Sequence, residues 1–323
     1  MLRQSRIIEQ GTKKMGRKKE IAGALKGIIP ALITPMRKDG TIHETLLEKQ
    51  VSYLSTAGAD GFLINGTTGE GPFLSRDEKR RTFVATRRAS KGKQFLCLTC
   101  IQPSTELTLD EIFAFESLQP DFVVVTAPFY LTASQREIIL HFEKIAKQSP
   151  FPVIAYNIPQ CTHNKMDYNT MLEISSIEKV VGLKDSSGDF ATFSRVVRRT
   201  REREFAWIQG EDSLDAESLI LGASGIVTGL SNVWIEPYVG MCRAAEENDV
   251  RSVQEFQKKI NRLYRILRVT GNKTVPAIKA ATFLLGRCEK WLKPPLLPLS
   301  DEELSRVKKV LTDLGPPTFF SKG

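Results

Sequence analysis

Short apolar runs and longer stretches of helical periodicity alternate along this chain eight times over. The apolar runs fall at 27–35, 61–65, 95–100, 121–126, 152–157, 179–184, 205–210 and 225–228. Apolar residues recur at helical spacing over 44–57, 75–90, 104–118, 134–148, 168–176, 190–200, 213–221 and 234–247. The runs are continuous in Val, Ile, Leu and Phe rather than alternating with polar residues, as in parallel strands covered on both faces. Eight strand–helix units without a long interruption predict a TIM (β/α)8 barrel rather than an open doubly wound sheet. Residues 250–314 read as further helices, punctuated by Gly271 and Pro276 and broken at Pro294-Pro295. The last of them opens on the capping sequence Ser300-Asp301-Glu302-Glu303. The predicted organisation is a basic, disordered tail over 1–22, a catalytic barrel over 23–248 and a helical extension over 249–323 packed on the barrel.

Charge changes this picture only at the N-terminus. The formal charge is +9 over 323 residues. Seven basic residues against two acidic ones give residues 1–20 a net +5, which leaves +4 for the rest. A solvated tail is expected; a nucleic-acid arm, a targeting segment or a true start at Met15 are the alternatives, and a nucleic-acid role rests on the tail alone. No apolar run reaches the ~18 residues of a membrane span, so a soluble, cytoplasmic protein is expected. The five cysteines are scattered and odd in number, which suits reduced thiols. Cys97 and Cys100 lie in one strand-like run, where a separation of three points the side chains to opposite faces, so neither a redox nor a zinc pair is expected. His43, His141 and His163 have no metal-site spacing, and neither a metal nor another cofactor is predicted.

In a TIM barrel the chemistry gathers where the strands end. The sixth run ends in Gly182-Leu183-Lys184-Asp185 and breaks at once into turn residues. Burial disfavours the charged form of a lysine, and a lysine without its proton is a nucleophile for carbonyls. The alternative is an ordinary surface lysine at a strand end. The second run ends in Gly66-Thr67-Thr68-Gly69-Glu70-Gly71, a turn whose N–H groups and hydroxyls suit a small carboxylate. Tyr156 ends the fifth run and Tyr130 follows the fourth; each is a phenol able to relay a proton, or a packed core tyrosine. An amine nucleophile, a carboxylate cradle and a proton shuttle are together the parts for Schiff-base chemistry on a 2-oxo acid.

Gly66-Thr67-Thr68-Gly69-Glu70, Tyr156-Asn157-Ile158-Pro159 with Thr162, and Gly182-Leu183-Lys184-Asp185 resemble, in order and spacing, the dihydrodipicolinate synthase/N-acetylneuraminate lyase superfamily. The resemblance runs from about Lys26 to Leu314. It implies a TIM barrel with a helical extension, pyruvate or another 2-oxo acid held as an imine on lysine, and a homo-oligomer, usually a tetramer of two tight dimers. Residue by residue, it implies Lys184 as the imine-forming lysine and Tyr156 as the proton-shuttling tyrosine. Thr67 matches the hydroxyl linking that tyrosine to a second one, which Tyr130 matches and which comes from across the dimer. Thr68 matches the carboxylate grip, and Val227 the residue whose carbonyl faces the bound pyruvate.

The departures concern the second substrate. Dihydrodipicolinate synthases carry arginine two residues after the Y-N-x-P proline, to hold a carboxylate; here Cys161 stands there, and a thiol cannot form a charge-assisted fork. His163 occupies a position that is usually glycine. The reading is therefore a pyruvate-dependent class I lyase that joins pyruvate and an aldehyde or cleaves a 2-keto-3-deoxy sugar acid. A dihydrodipicolinate synthase with a substitute for the arginine, a 2-keto-3-deoxy acid dehydratase and a non-catalytic 2-oxo-acid-binding regulator are the alternatives. Retention of Lys184, Tyr156 and Thr67 together argues against the last.

Overall fold

The computed structural model describes Lys18, residues 20–201 and residues 204–315. Most of the predicted tail, with Met15, and the end of the predicted extension lie outside the described residues. Eight parallel strands are present: β1 (Gly27–Pro30), β2 (Gly61–Ile64), β3 (Phe95–Cys100), β4 (Phe122–Thr126), β5 (Val153–Asn157), β6 (Val180–Asp185), β7 (Ala206–Gln209) and β8 (Gly225–Thr228). Their order is β1-β8-β7-β6-β5-β4-β3-β2. The sheet closes between β1 and β2, where the Asp60 N–H donates to the Ile28 carbonyl at 3.0 Å and the Leu32 N–H to the Leu63 carbonyl at 2.9 Å. The architecture is the TIM barrel that the alternation of runs and helices predicts.

The helices after successive strands are α1 (Glu44–Ala57), α2 (Arg76–Ser90), α3 (Thr105–Ala114), α4 (Gln135–Gln148), α5 (Tyr168–Ser176), α6 (Phe190–Arg199), α7 (Asp215–Leu221) and α8 (Glu236–Glu246). Three longer ones, α9 (Val250–Leu263), α10 (Thr274–Leu284) and α11 (Asp301–Leu314), follow, with a single helical turn at Arg265–Arg268 between the first two. Ser75 with Glu78, Ser134 with Glu137 and Ser300 with Glu303 form reciprocal capping boxes at the starts of α2, α4 and α11. Each supplies partners for N–H groups that a helix start leaves open, typically about 1 kcal/mol per cap.

Two predicted elements are shorter than their patterns. The first run reads as strand to residue 35, but β1 stops at Pro30, and Met36 instead bridges antiparallel to Ile42. Proline at 30 and 35 removes N–H donors that a continuing central strand would need. The helical pattern of 104–118 splits at Phe115 into α3 and a 3₁₀ turn, Glu116–Leu118.

Side chains on the strands divide between two apolar regions. Ile29, Leu63, Cys97, Val124, Ile154, Ile208 and Val227 fill the barrel interior. Ile28, Phe62, Leu98, Val123, Val125, Val153, Leu183 and Trp207 face the helices. Cys97 is inside and Cys100 outside, as their spacing requires. Aromatic side chains such as Phe62, Phe83, Phe142 and Phe193 are wholly buried in the outer layer, each contributing about 1.5–3 kcal/mol by leaving water.

The ladder between β5 and β6 carries one irregularity. Val153 pairs with Val180, but the next residue, Ile154, pairs with Gly182, so that Val181 is an extra residue. Beyond it the pairing continues through Tyr156 with Lys184 and Asn157 with Asp185.

Candidate active site

A cavity of about 200 Å³ opens at the C-terminal end of the barrel. Lys184 enters it from the tip of β6 and Tyr156 from the tip of β5; both are at least 95% buried. Paired residues on neighbouring strands point the same way, and the Lys184 ammonium lies 4.0 Å from the centroid of the Tyr156 ring. Among the described residues no carboxylate or carbonyl accepts a hydrogen bond from that ammonium. Gly210 makes the room for it: a Cβ there would lie 2.8 Å from Lys184 Cε and 2.2 Å from Ser186 Oγ.

Asp185, next along the strand, faces away from the cavity and serves as a buried anchor. It accepts from Asn157 Nδ2 at 2.8 Å and from the Ser187 hydroxyl at 3.1 Å and N–H at 3.2 Å. Burial raises its pKa, and the hydrogen bonds from Asn157 and Ser187 oppose the shift. The loop after β6 is thereby fixed beneath the lysine.

Thr67 and Thr68 line the same cavity. They sit in a turn that begins at Asn65 and ends at Glu70, both in the left-handed region (φ 60° and 59°). The Gly71 N–H donates to the Gly66 carbonyl at 3.0 Å and the Glu70 N–H to the Thr67 carbonyl at 3.1 Å. Gly71 must be glycine, because a Cβ there would fall 1.7 Å from the Asn65 carbonyl oxygen. Gly66 itself lies behind the turn against Leu63 and does not line the cavity.

Val227 and Cys161 complete the predicted set around the cavity. Cys161 lies in the helical turn Pro159–Thr162 after β5, and burial raises its thiol pKa. His163 ends that turn at φ 57°, the left-handed conformation that explains why glycine suits the position. Tyr130 is not brought in. It is 91% exposed at φ 78°, outside the cavity. Its loop is held by Asn164, whose Nδ2 donates to the Pro128 carbonyl at 2.8 Å and the Leu131 carbonyl at 2.9 Å.

Several lining residues lie outside the predicted set. Gln160 donates to the Ser186 carbonyl at 2.9 Å and so ties the loops after β5 and β6 together. Glu211 accepts from Tyr264 at 3.2 Å, and Asp212 from Tyr238 at 2.6 Å. Burial pushes the Asp212 pKa up to about 7, with the nearby Glu211 charge adding to the shift and the Tyr238 hydrogen bond opposing it. Tyr264, Thr274, Val275 and Ile278 come from the helices after the barrel. The strand-end motif Gly210-Glu211-Asp212 could have suggested the two acids; the residues after 250 could be placed only by the fold. Among the described residues, Lys184 is the one cation in the cavity lining. His141 is elsewhere, buried between Thr105 and the Thr126 carbonyl with its pKa lowered to about 4 by burial. Among the described residues no three His, Cys, Asp or Glu side chains converge as a metal site, and no helix is long and apolar enough to cross a membrane.

Comparison with known proteins agrees with this geometry. Residues 24–314 match the dihydrodipicolinate synthetase family. A 4-hydroxy-tetrahydrodipicolinate synthase of Methanothrix thermoacetophila is 30% identical over 91% of this chain and 98% of its own. The crystal structure of dihydrodipicolinate synthase from Aquifex aeolicus is 29% identical with a TM-score of 0.83, covering 90% of this chain and 98% of that one. The chloride-inhibited enzyme from Acinetobacter baumannii, solved with pyruvate, is 26% identical with a TM-score of 0.85, covering 90% and 99%. The chain belongs to the dihydrodipicolinate synthetase family, whose members are metal-independent lyases and synthases of the Schiff-base aldolase type.

Proposed function

We propose that Lys184 forms an imine with pyruvate or a related 2-oxo acid, and that the enzyme reversibly joins this unit to an uncharged hydroxyaldehyde. The observation that carries the reading is the buried pairing of Lys184 with Tyr156 at one end of the barrel, with the Thr67–Thr68 turn on the same cavity. The neutral amine adds to the C2 carbonyl, the carbinolamine loses water, and the resulting imine draws electrons from C3. Tyr156, left as a phenolate after protonating the departing water, takes a proton from C3 to give an enamine, and the enamine carbon bonds to the aldehyde carbon. Tyr156 gives the proton that the new alkoxide takes up, and water releases the product from the lysine. Thr67 and Thr68 receive the carboxylate, which keeps C2 facing the amine.

Cys161 and the absence of any cation but Lys184 in the lining support an aldehyde without its own carboxylate. The names of the relatives favour a second reading, a 4-hydroxy-tetrahydrodipicolinate synthase; it requires a cation from outside this cavity. Tyr130, held outward, serves in this proposal the cavity of a second copy in a homo-oligomer. A fully active monomer in sedimentation experiments would exclude that role.

Trapping tests the chemistry at the first substrate. Incubation with pyruvate and borohydride should leave a stable adduct on Lys184 in the wild type and none in Lys184→Ala. Labelling of a different lysine, or none, would overturn the mechanism.

A further inference from the structure

Two opposite charges are wholly buried beside the cavity without lining it. Glu70 closes the turn that carries Thr67 and Thr68, and Lys279 lies on α10; both side chains have zero exposure. Lys279 Nζ is 2.6 Å from Glu70 Oε1, an ionic contact, while its hydrogen bond goes to the Trp291 carbonyl at 2.6 Å. The other carboxylate oxygen of Glu70, Oε2, accepts the Lys293 N–H at 2.7 Å. Both partners of the Glu70 carboxylate thus come from the chain beyond the barrel.

The same helix forms a wall of the cavity. Thr274, Val275 and Ile278 line it, and Lys279 is the next residue. Gly229, after β8, is where α10 and the turn approach each other: a Cβ there would lie 2.9 Å from Ile278 Cδ1 and 3.2 Å from Thr68 Oγ1. The barrel holds the turn as well, through a hydrogen bond from the Thr34 hydroxyl to the Gly69 carbonyl at 2.7 Å and, at its start, through Asn65, which donates to the Lys79 carbonyl at 3.1 Å and accepts from the Thr82 hydroxyl at 2.6 Å.

A buried ion pair is a poor device for stability alone. Taking two charges out of water offsets much of their attraction, and an apolar pair of similar volume often does as well. What a charged pair supplies better is a fixed geometry. We propose that Glu70 and Lys279 are positioning residues for the carboxylate-binding turn: through them α10 sets the place of Thr67 and Thr68, so that the 2-oxo acid is gripped correctly only when the C-terminal helices are seated. The inference rests on the proposed binding of the substrate carboxylate by that turn. It makes the helices beyond the barrel part of the site.

The test compares Lys279→Met, Glu70→Gln and the apolar pair Glu70→Leu/Lys279→Met with the wild type. Thermal midpoint, pyruvate KM, kcat and borohydride labelling of Lys184 are measured for each. The expected result is a pyruvate KM raised about ten- to a hundredfold in every folded variant, the scale on which an ångström of misplacement acts. Labelling of Lys184 should still reach completion at saturating pyruvate, and kcat should fall much less than KM rises. The pair and the single variants should lose similar factors, because they break one link. If the single variants fail to fold, the apolar pair, which leaves no lone buried charge, carries the test. A folded apolar pair with wild-type pyruvate KM would overturn the proposal and leave the ion pair a purely structural feature. Failure of the wild type itself to be labelled would count against the imine chemistry, a different result from a changed KM.

Discussion

Val180 and Lys184 are four residues apart on one strand, yet they face opposite sides of the barrel wall. Val180 packs in the outer layer under the helices, and Lys184 enters the cavity. In an undisturbed strand, residues separated by four share a face. The extra residue Val181, which packs inward together with the barrel interior, reverses the alternation between them. Without that bulge Val180 and Lys184 would share one face of the sheet.

Once turned inward, the lysine depends on the space beside Gly210. Gly210→Ala would place a methyl within 2.8 Å of Lys184 Cε and 2.2 Å of Ser186 Oγ. We expect the rate of imine formation to fall by about a hundredfold, as for a reacting group displaced by about an ångström. Single-turnover trapping with pyruvate and borohydride measures it. A variant trapped at the wild-type rate would show that Lys184 does not need this space.

Tyr156 faces the lysine through its ring and the cavity through its position. Tyr156→Phe keeps the ring and removes the proton. Its kcat should drop by about two to four orders of magnitude, the usual contribution of a positioned acid–base group. Pyruvate should still label Lys184 on borohydride reduction, because the Thr67–Thr68 turn is intact. Near-normal turnover would reduce Tyr156 to a packing residue.

In the proposed function Cys161 is the residue that sets the choice of second substrate. A carboxylate on the aldehyde that lacks its cation forgoes about 2–5 kcal/mol, and about 1.4 kcal/mol is a factor of ten. The wild type should therefore prefer glyceraldehyde to aspartate semialdehyde as partner for pyruvate, judged by kcat/KM under one set of conditions. Cys161→Arg should move the ratio toward aspartate semialdehyde by tenfold or more. A wild type that already prefers the charged aldehyde would show that another group supplies the charge.

Asp212 gives the fold a pH signature. Burial raises its pKa to about 7 in the folded state, against about 3.9 for an exposed carboxyl. The folded protein then binds more protons than the unfolded chain between these values, so this contribution to stability is present at low pH and is lost as pH rises toward 7. Asp215 is shifted in the same direction, by burial first and by the nearby Asp212 charge second. Urea unfolding at pH 5 and pH 8 should show Asp212→Asn gaining about 2 kcal/mol on the wild type between the two. Parallel behaviour of the two proteins would mean that Asp212 titrates as an ordinary carboxyl.

Much of this protein is determined by local sequence. Continuous apolar runs between helical repeats specify parallel strands with helices around them, because only that arrangement buries both faces of each run. Lys184, Tyr156 and the Thr67–Thr68 turn could be picked out because each ends a run where a barrel places its chemistry. Their type and order needed no contacts to be read. What sequence could not decide is direction and company. That Lys184 faces inward while Val180 faces outward depends on a pairing slip between two strands, which no pattern within either strand contains. Tyr130 has the residue type for the cavity, but the loop held by Asn164 turns it outward. Tyr264 and Ile278 reach the cavity, and Lys279 reaches Glu70 in the turn beside it, from helices far along the chain. Their place is fixed by packing across the barrel mouth, a long-range effect that local periodicity does not encode.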